Sequence, residues 1–407
     1  MSSFPRDLVT DILLQLPVKS LVRFQSLSKA LYELIKEPCF INKHLKVSIA
    51  ANRDRALIVL NSNADLSDPP GKECFSVGFN KDDQFDFTAP VKMCQPLEHS
   101  RIYGYCNGLV LIFSKIAGCY AIWNPLIRRY KKLPRQPIEL PPSLSPSMKY
   151  RGCYAVLSFG HDAVNDDYKV VRIVRFEAPR SSGEPDLNDI YDLKIFSLRL
   201  HSWKTVHVEW SKESIPAHNS VSVSLNGACH WLLVAPSPIG GIGIDVVVEQ
   251  PQHSLLAFDL ATEKFRDYTI PVLPDRFSDL DLAVLKGCIC LYESGRNLKD
   301  SNVWVMKEYG VVSSWTLLCT IVKGAVPWSI CCRPLTYSKD GKEVLLERDC
   351  ARLFWYDMEE KRGRKVKFGL MPGVFYVAIS GRDFEVYTAI CDGSLVLLDG
   401  DSVYNFN

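Results

Sequence analysis

The chain of 407 residues has no long apolar run. No stretch approaches the roughly 18 residues that a membrane-spanning helix needs. It has no excess of one charge either. With 48 basic and 46 acidic side chains the net charge is +2, so no global field draws the chain to nucleic acid or to an acidic membrane surface. Enzyme signatures are also missing: there is no GxSxG elbow, no HExxH and no GxxxxGKS/T phosphate loop. Gly240, Gly241 and Gly243 are the nearest approach to a phosphate cradle, but no Lys follows them, and an insertion between strands is the simpler reading. His201 and His207 fall in one expected hairpin, a pairing too weak to carry catalysis. Fourteen cysteines are many, yet none pair at zinc spacing. Cys288 and Cys290 are two apart, on one face of a strand, and Cys331 and Cys332 are adjacent. With a polar start and no apolar leader, the cysteines read as reduced core residues of an intracellular protein. The expectation is no metal, no cofactor and no covalent chemistry.

What is present begins at residue 4. Over residues 4–45 apolar residues recur at helical spacing: Leu8, Ile12 and Leu16, with Val9 and Leu13 beside them, then Leu21, Phe24 and Leu27, then Leu31, Leu34 and Ile35. Pro17 and Pro38 divide the segment into three short helices. Forty residues bury too little surface to fold well unaided, and too many of these positions are large and apolar for one small core. The surplus calls for a partner surface. The segment resembles an F-box, through Pro5, Leu8, Ile12, Leu13, Leu16, Pro17, Lys19, Ser20, Leu21, Phe24, Ser28, Lys29, Ile35 and Phe40. Ser28 and Leu31 stand where that family usually carries Cys and Trp. The resemblance implies docking onto the Skp-type adaptor of a cullin-based SCF ubiquitin ligase, through Pro5, Leu8, Ile12, Leu13, Leu16, Pro17, Leu21, Phe24, Leu27 and Lys29.

Past residue 50 the period changes from helix to strand. Short runs rich in β-branched and aromatic residues alternate with Gly, Asn and Asp, as at Leu109–Phe113, Lys169–Val174 and Leu353–Tyr356. Asn107-Gly108, Asn226-Gly227, Asp340-Gly341 and Asp392-Gly393 read as hairpin turns. An outer hairpin recurs around Trp123, Phe196, Phe258, Val305 and Tyr356, at intervals of 73, 62, 47 and 51 residues. That approaches the period of propeller blades, about 40–50 residues, with insertions. Stacked β-sandwiches would explain the strands but not the recurring hairpin. Trp123, Trp203, Trp304, Trp315 and Trp355 read as equivalent core positions. Trp210, Trp231 and Trp328 fall outside the repeat and are candidates for a binding face. The fold expected is mainly β: a small three-helix segment at 1–46, a polar linker over Lys46–Arg55, and a kelch-like propeller of six or seven blades at 51–407.

The runs at 104–134, 158–173, 303–318 and 333–349 resemble the plant F-box-associated interaction domain. Over nearly its whole length the chain is similar to plant F-box proteins of the S-locus and defence-restraining groups. This resemblance implies a non-catalytic ligase subunit in nucleus and cytoplasm that delivers a target for degradation. An immune receptor of the nucleotide-binding leucine-rich-repeat class is the favoured target, a pollen-recognition ribonuclease the alternative. A non-degrading scaffold and a kelch-type oxidase are the competing functions. Target recognition is expected on loops that break the repeat, around Pro134, Pro141 and Pro142 and around Gly240, Gly241 and Gly243.

Overall fold

A computed structural model of the chain describes residues 5–51, 54–63, 74–78, 85–98, 100–114, 116–139, 152–177, 190–207, 222–234, 253–270, 279–294, 300–322, 324–326, 331–348, 352–366, 384–396 and 402–403. They form two compact units. The first comprises 1–133, 350–353 and 365–407; the second comprises 134–349 and 354–364.

The first unit opens with helices α1 (Arg6–Leu14), α2 (Val18–Phe24), α3 (Lys29–Lys36) and α4 (Pro38–Ala50). The fourth helix is one more than the sequence suggests. Pro38 does not end the helical segment; it occupies the first turn of α4, where its missing N–H costs nothing. α3 is capped by Ser28, whose hydroxyl accepts from the Leu31 amide at 3.2 Å. Leu13, Val18, Leu21, Leu34, Ile35, Phe40 and Ile41 form the helical core. Two four-stranded arrangements follow. Sheet 1 runs Phe384–Cys391, Ala56–Asn63, Cys74–Val77, Val91–Met93, so its first strand comes from near the end of the chain. That strand pairs antiparallel with Ala56–Asn63, Ala389 opposite Ile58. Sheet 2 runs Ser100–Cys106, Leu109–Ser114, Cys119–Asn124, Arg129–Lys132, and Ser402–Val403 adds a fifth strand at its outer edge. Trp123, Ile58, Leu60, Val110 and Ile112 fill the space between the two sheets.

The second unit carries four sheets of four strands each, except that Arg352, Leu353 and Lys365 of the last sheet group with the first unit. Sheet 3 has Gly152–Asp162, Asp167–Glu177, Ile190–Ser197 and Ser202–Val206; sheet 4 has Val223–Leu225, Ala228–Val234, His253–Asp259 and Lys264–Thr269. Sheet 5 has Asp279–Leu285, Cys288–Ser294, Asp300–Met306 and Trp315–Val322; sheet 6 has Cys332–Tyr337, Glu343–Arg348, Arg352–Asp357 and Arg362–Lys365. Phe196, Phe258, Val305 and Tyr356 all lie on third strands and are buried, as is Trp123 in sheet 2. The tryptophans are not equivalent. Trp304 and Trp355 sit one residue out of step with Val305 and Tyr356, and Trp203 and Trp315 are only half-buried on fourth strands. Trp231, a candidate for a binding face, is fully buried between sheets 3 and 4; Trp210 and Trp328 lie outside the described residues.

Sheets 3 and 4 meet closely. A Cβ at Gly160 would collide with Ser224 Oγ and come within 2.7 Å of Leu260 Cδ1. Beside it Lys169 Nζ donates to Asp162 Oδ2 at 2.8 Å, to the Leu260 carbonyl at 2.5 Å and to Glu263 Oε1 at 3.3 Å. Burial works against the Lys169 charge, but the two carboxylates outweigh it and hold its pKa above the ordinary value.

Each complete run of four strands has two kinds of connection. First to second strands are joined by short turns at one end of the sheet, as are third to fourth except in sheet 5, where residues 307–314, with a 3-10 turn at Val312–Ser314, intervene. Second to third, and sheet to sheet, lie at the other end and include the long insertions. Asn107-Gly108 and Asn226-Gly227 form tight turns with both residues at positive φ, as the sequence suggests. Asp340-Gly341 has positive φ only at Gly341, and Asp392-Gly393 at neither residue. Those two are not hairpins of that type.

Candidate functional site

The exposed face of the helices is the first candidate. On α1, Leu8 and Ile12 lie one turn apart and are 46% and 55% exposed, while Leu13 turns into the core. Leu27, between α2 and α3, is 67% exposed. Pro5, Pro17 and Lys29 are exposed, and Leu16 and Phe24 are half-buried. Leu21 is fully buried. Of the ten residues the sequence singles out, Leu13 and Leu21 therefore shape the surface from within, and the others offer atoms to a partner. Tyr32 extends the exposed apolar set; Lys36 Nζ donates to its hydroxyl at 2.7 Å. Arg6 pairs with Glu37, joining the starts of α1 and α4. His44, buried on α4, meets the Leu16 carbonyl through Nε2 at 2.8 Å.

One stabilising group comes from outside the helices. α2 follows Pro17 and has no side-chain cap of its own; the Val18 amide donates to Asp54 Oδ2 at 2.6 Å. Burial pushes the Asp54 carboxyl above its ordinary value, although that hydrogen bond pulls the other way. The described part of the polar stretch expected as a linker is tied to the helices. α4 continues to Ala50, and Asp54 holds α2. A single Asp among polar residues gives no sequence signal for such a role.

The second candidate is the long-connection end of the sheets. Pro134 opens the run between sheets 2 and 3 and is exposed. Its carbonyl accepts from Trp203 Nε1 at 3.0 Å, and the Gln136 and Pro137 carbonyls accept from Arg172 at 2.6 and 3.4 Å. The start of the proline-rich run is therefore strapped to sheet 3. Pro141, Pro142, Gly240, Gly241 and Gly243 lie outside the described residues. His201 and His207 flank the strand Ser202–Val206 at its opposite ends, so they do not form a pair. Among the described residues no group of three His, Cys, Asp or Glu side chains could hold a metal ion, and no helix is long and apolar enough to cross a membrane.

Two family models match the chain. The F-box domain covers residues 1–43 and the F-box associated beta propeller domain covers residues 73–383. The chain is 34% identical over 375 residues to the F-box protein CPR1 of Arabidopsis thaliana, covering 89% of this chain and 84% of that protein. It is 28% identical to the F-box protein At4g22390 of the same plant, over 89% and 85% of the two chains. A third Arabidopsis thaliana relative, F-box/kelch-repeat protein At3g23880, is 26% identical, with 85% of each chain covered. The six sheets are accordingly the blades of a propeller, and the chain belongs to the plant F-box proteins that carry an F-box-associated β-propeller domain.

Proposed function

We propose that this protein is the target-recognition subunit of a cullin-based SCF ubiquitin ligase. The helices dock on a Skp-type adaptor and the propeller holds a target protein. The observation that carries the reading is the exposure of Leu8, Ile12 and Leu27 on a helical segment whose core, completed by Leu395, has no room for them. Fully burying one such side chain contributes about 1.5–3 kcal/mol, so a few of them supply most of a micromolar affinity. The subunit does no covalent chemistry. It raises the effective concentration of target lysines near the charged conjugating enzyme. Target contacts belong to the long-connection end of the blades, and the resemblance to the defence-restraining group favours an immune receptor as the target. Nucleus and cytoplasm are the matching compartments.

The test separates surface from core. Leu8→Ala with Ile12→Ala should abolish capture of the adaptor while leaving the helical circular dichroism and the melting temperature unchanged, because both side chains already face solvent. Leu13→Ala should instead destabilise the helical segment by about 2–5 kcal/mol. Undiminished adaptor capture by the folded double variant would refute the docking assignment.

A further inference from the structure

The core of the N-terminal helices is completed by residues from near the far end of the chain. Leu395 is buried in the same cluster as Leu13, Val18, Leu21, Leu34, Ile35, Phe40 and Ile41, and Val396, Leu126 and Ile127 pack against it. The segment 392–396 that delivers Leu395 leaves directly from Phe384–Cys391, the strand that completes sheet 1. It is gripped along its length. Asn124 Nδ2 donates to the Ser394 carbonyl at 3.0 Å and to the Val396 carbonyl at 3.2 Å. The tight turn at Gly108 presses on it so closely that a Cβ there would overlap the Asp392 carbonyl and the Ser394 side chain. A Cβ at Gly393 would lie 2.8 Å from Asp54 Cβ and Oδ2. Asp54 is the group that caps α2 at Val18. Leu395 in the core and Gly393 beneath the cap therefore make two separate links from this segment to the helices.

We infer that residues 392–396 are a latch, which makes the folded N-terminal helices conditional on the pairing of strand 384–391 with strand 56–63. Until the late strand is in place, the helical core lacks Leu395, Asp54 lacks its seat on Gly393, and the four short helices stand nearly alone. Helices of 7 to 13 residues are marginal without tertiary packing. A chain whose first sheet is incomplete then presents no ordered docking face. On the function proposed above, an unfinished or misfolded receptor is kept off the ligase; the latch itself does not depend on that reading.

Hydrogen exchange of the full-length protein tests this without any partner. Leu395→Ala and Thr388→Pro are the two variants: the first empties the helical core, and the second breaks the closing strand at a residue that pairs with Val59. Both should speed amide exchange in α1–α4 at least tenfold, with Ala228–Val234 and Cys288–Ser294 keeping their protection. Leu317→Ala, an exposed position in sheet 5, should leave the helices unchanged. Helix protection that survives in Leu395→Ala, or in Thr388→Pro with strand 384–391 open, would overturn the latch. Loss of helix protection in a protein that captures no adaptor even as wild type would uphold the latch and refute the ligase reading instead.

Discussion

His230 shows how one buried side chain sets a pH limit. It is fully buried on strand Ala228–Val234, and its Nε2 meets the Tyr309 hydroxyl at 2.8 Å. Burial lowers its pKa from 6.5 to about 4. The ring is therefore neutral in the folded protein at pH 7. Below pH 6.5 the unfolded chain takes up a proton that the folded chain refuses, so the sign is fixed: His230 costs nothing above about pH 6.5, and stability falls as the pH drops toward 4. At about 1.4 kcal/mol per unit, the full loss is roughly 3 kcal/mol. His230→Gln keeps a polar group near Tyr309 and cannot titrate. Melting temperatures measured from pH 7.5 to 4.5 should fall less steeply in the variant than in the wild type. Parallel curves would show that the protonation of His230 does not govern the acid limb. Asp54 and Asp392 act the opposite way in the other unit. Burial raises both carboxyls, so acid relieves a cost there.

Among the elements, the outer hairpin carries the repeat, and the reason is a four-residue turn. Asn124, Ser197, Asp259 and Asp357 end third strands, and each accepts from backbone amides two or three residues on: Leu126 and Ile127, Leu200, Ala261 and Thr262, Glu359 and Glu360. Four residues after each of them, Arg128, His201, Glu263 and Lys361 take positive φ of 51 to 58°. The spacing is visible in the sequence as a polar side chain followed by a bent return, which is why the outer hairpins are legible. Lys286-Gly287 makes a tight turn with the same φ pair as Asn107-Gly108, yet it is illegible, because Lys has no preference for the left-handed region. Asp357→Ala should cost about 1 kcal/mol through two lost amide partners. At Lys361, Val should cost about 1–2 kcal/mol and Gly should be neutral or better, since a β-branched residue resists positive φ most and glycine takes it freely. Thermal unfolding of the three variants checks the order. A Gly variant as unstable as the Val variant would rule out the left-handed residue as the determinant.

Across the whole molecule, the limit of legibility is sequence separation. The third-strand residues Trp123, Phe196, Phe258, Val305 and Tyr356 are recognisable because each lies in a sheet whose first four strands follow one another in the sequence. The pairing of Ala56–Asn63 with Phe384–Cys391 joins the two ends of the chain, and no periodicity reports it. The same distance hides Leu395 from any reading of the helical segment, so its surplus of apolar residues reads as owed to a partner alone, while part of it shares a core with residues 126, 127, 395 and 396. This changes how the degradation mechanism should be tested. Deleting the helices would strip the cover from Leu395 and leave an ambiguous result. The cleaner inhibitor is the full-length chain with Leu8→Asp and Ile12→Asp, which alters only exposed positions. If the protein delivers a target to a ligase, this variant still holds the target but has no route to the adaptor. Overproduced, it should occupy the target by mass action and shield it from the intact receptor. Target half-life after translation is blocked should lengthen, with transcript level unchanged. A non-degrading scaffold predicts equal half-lives with the variant and with the wild type, and that result would exclude the degradative role.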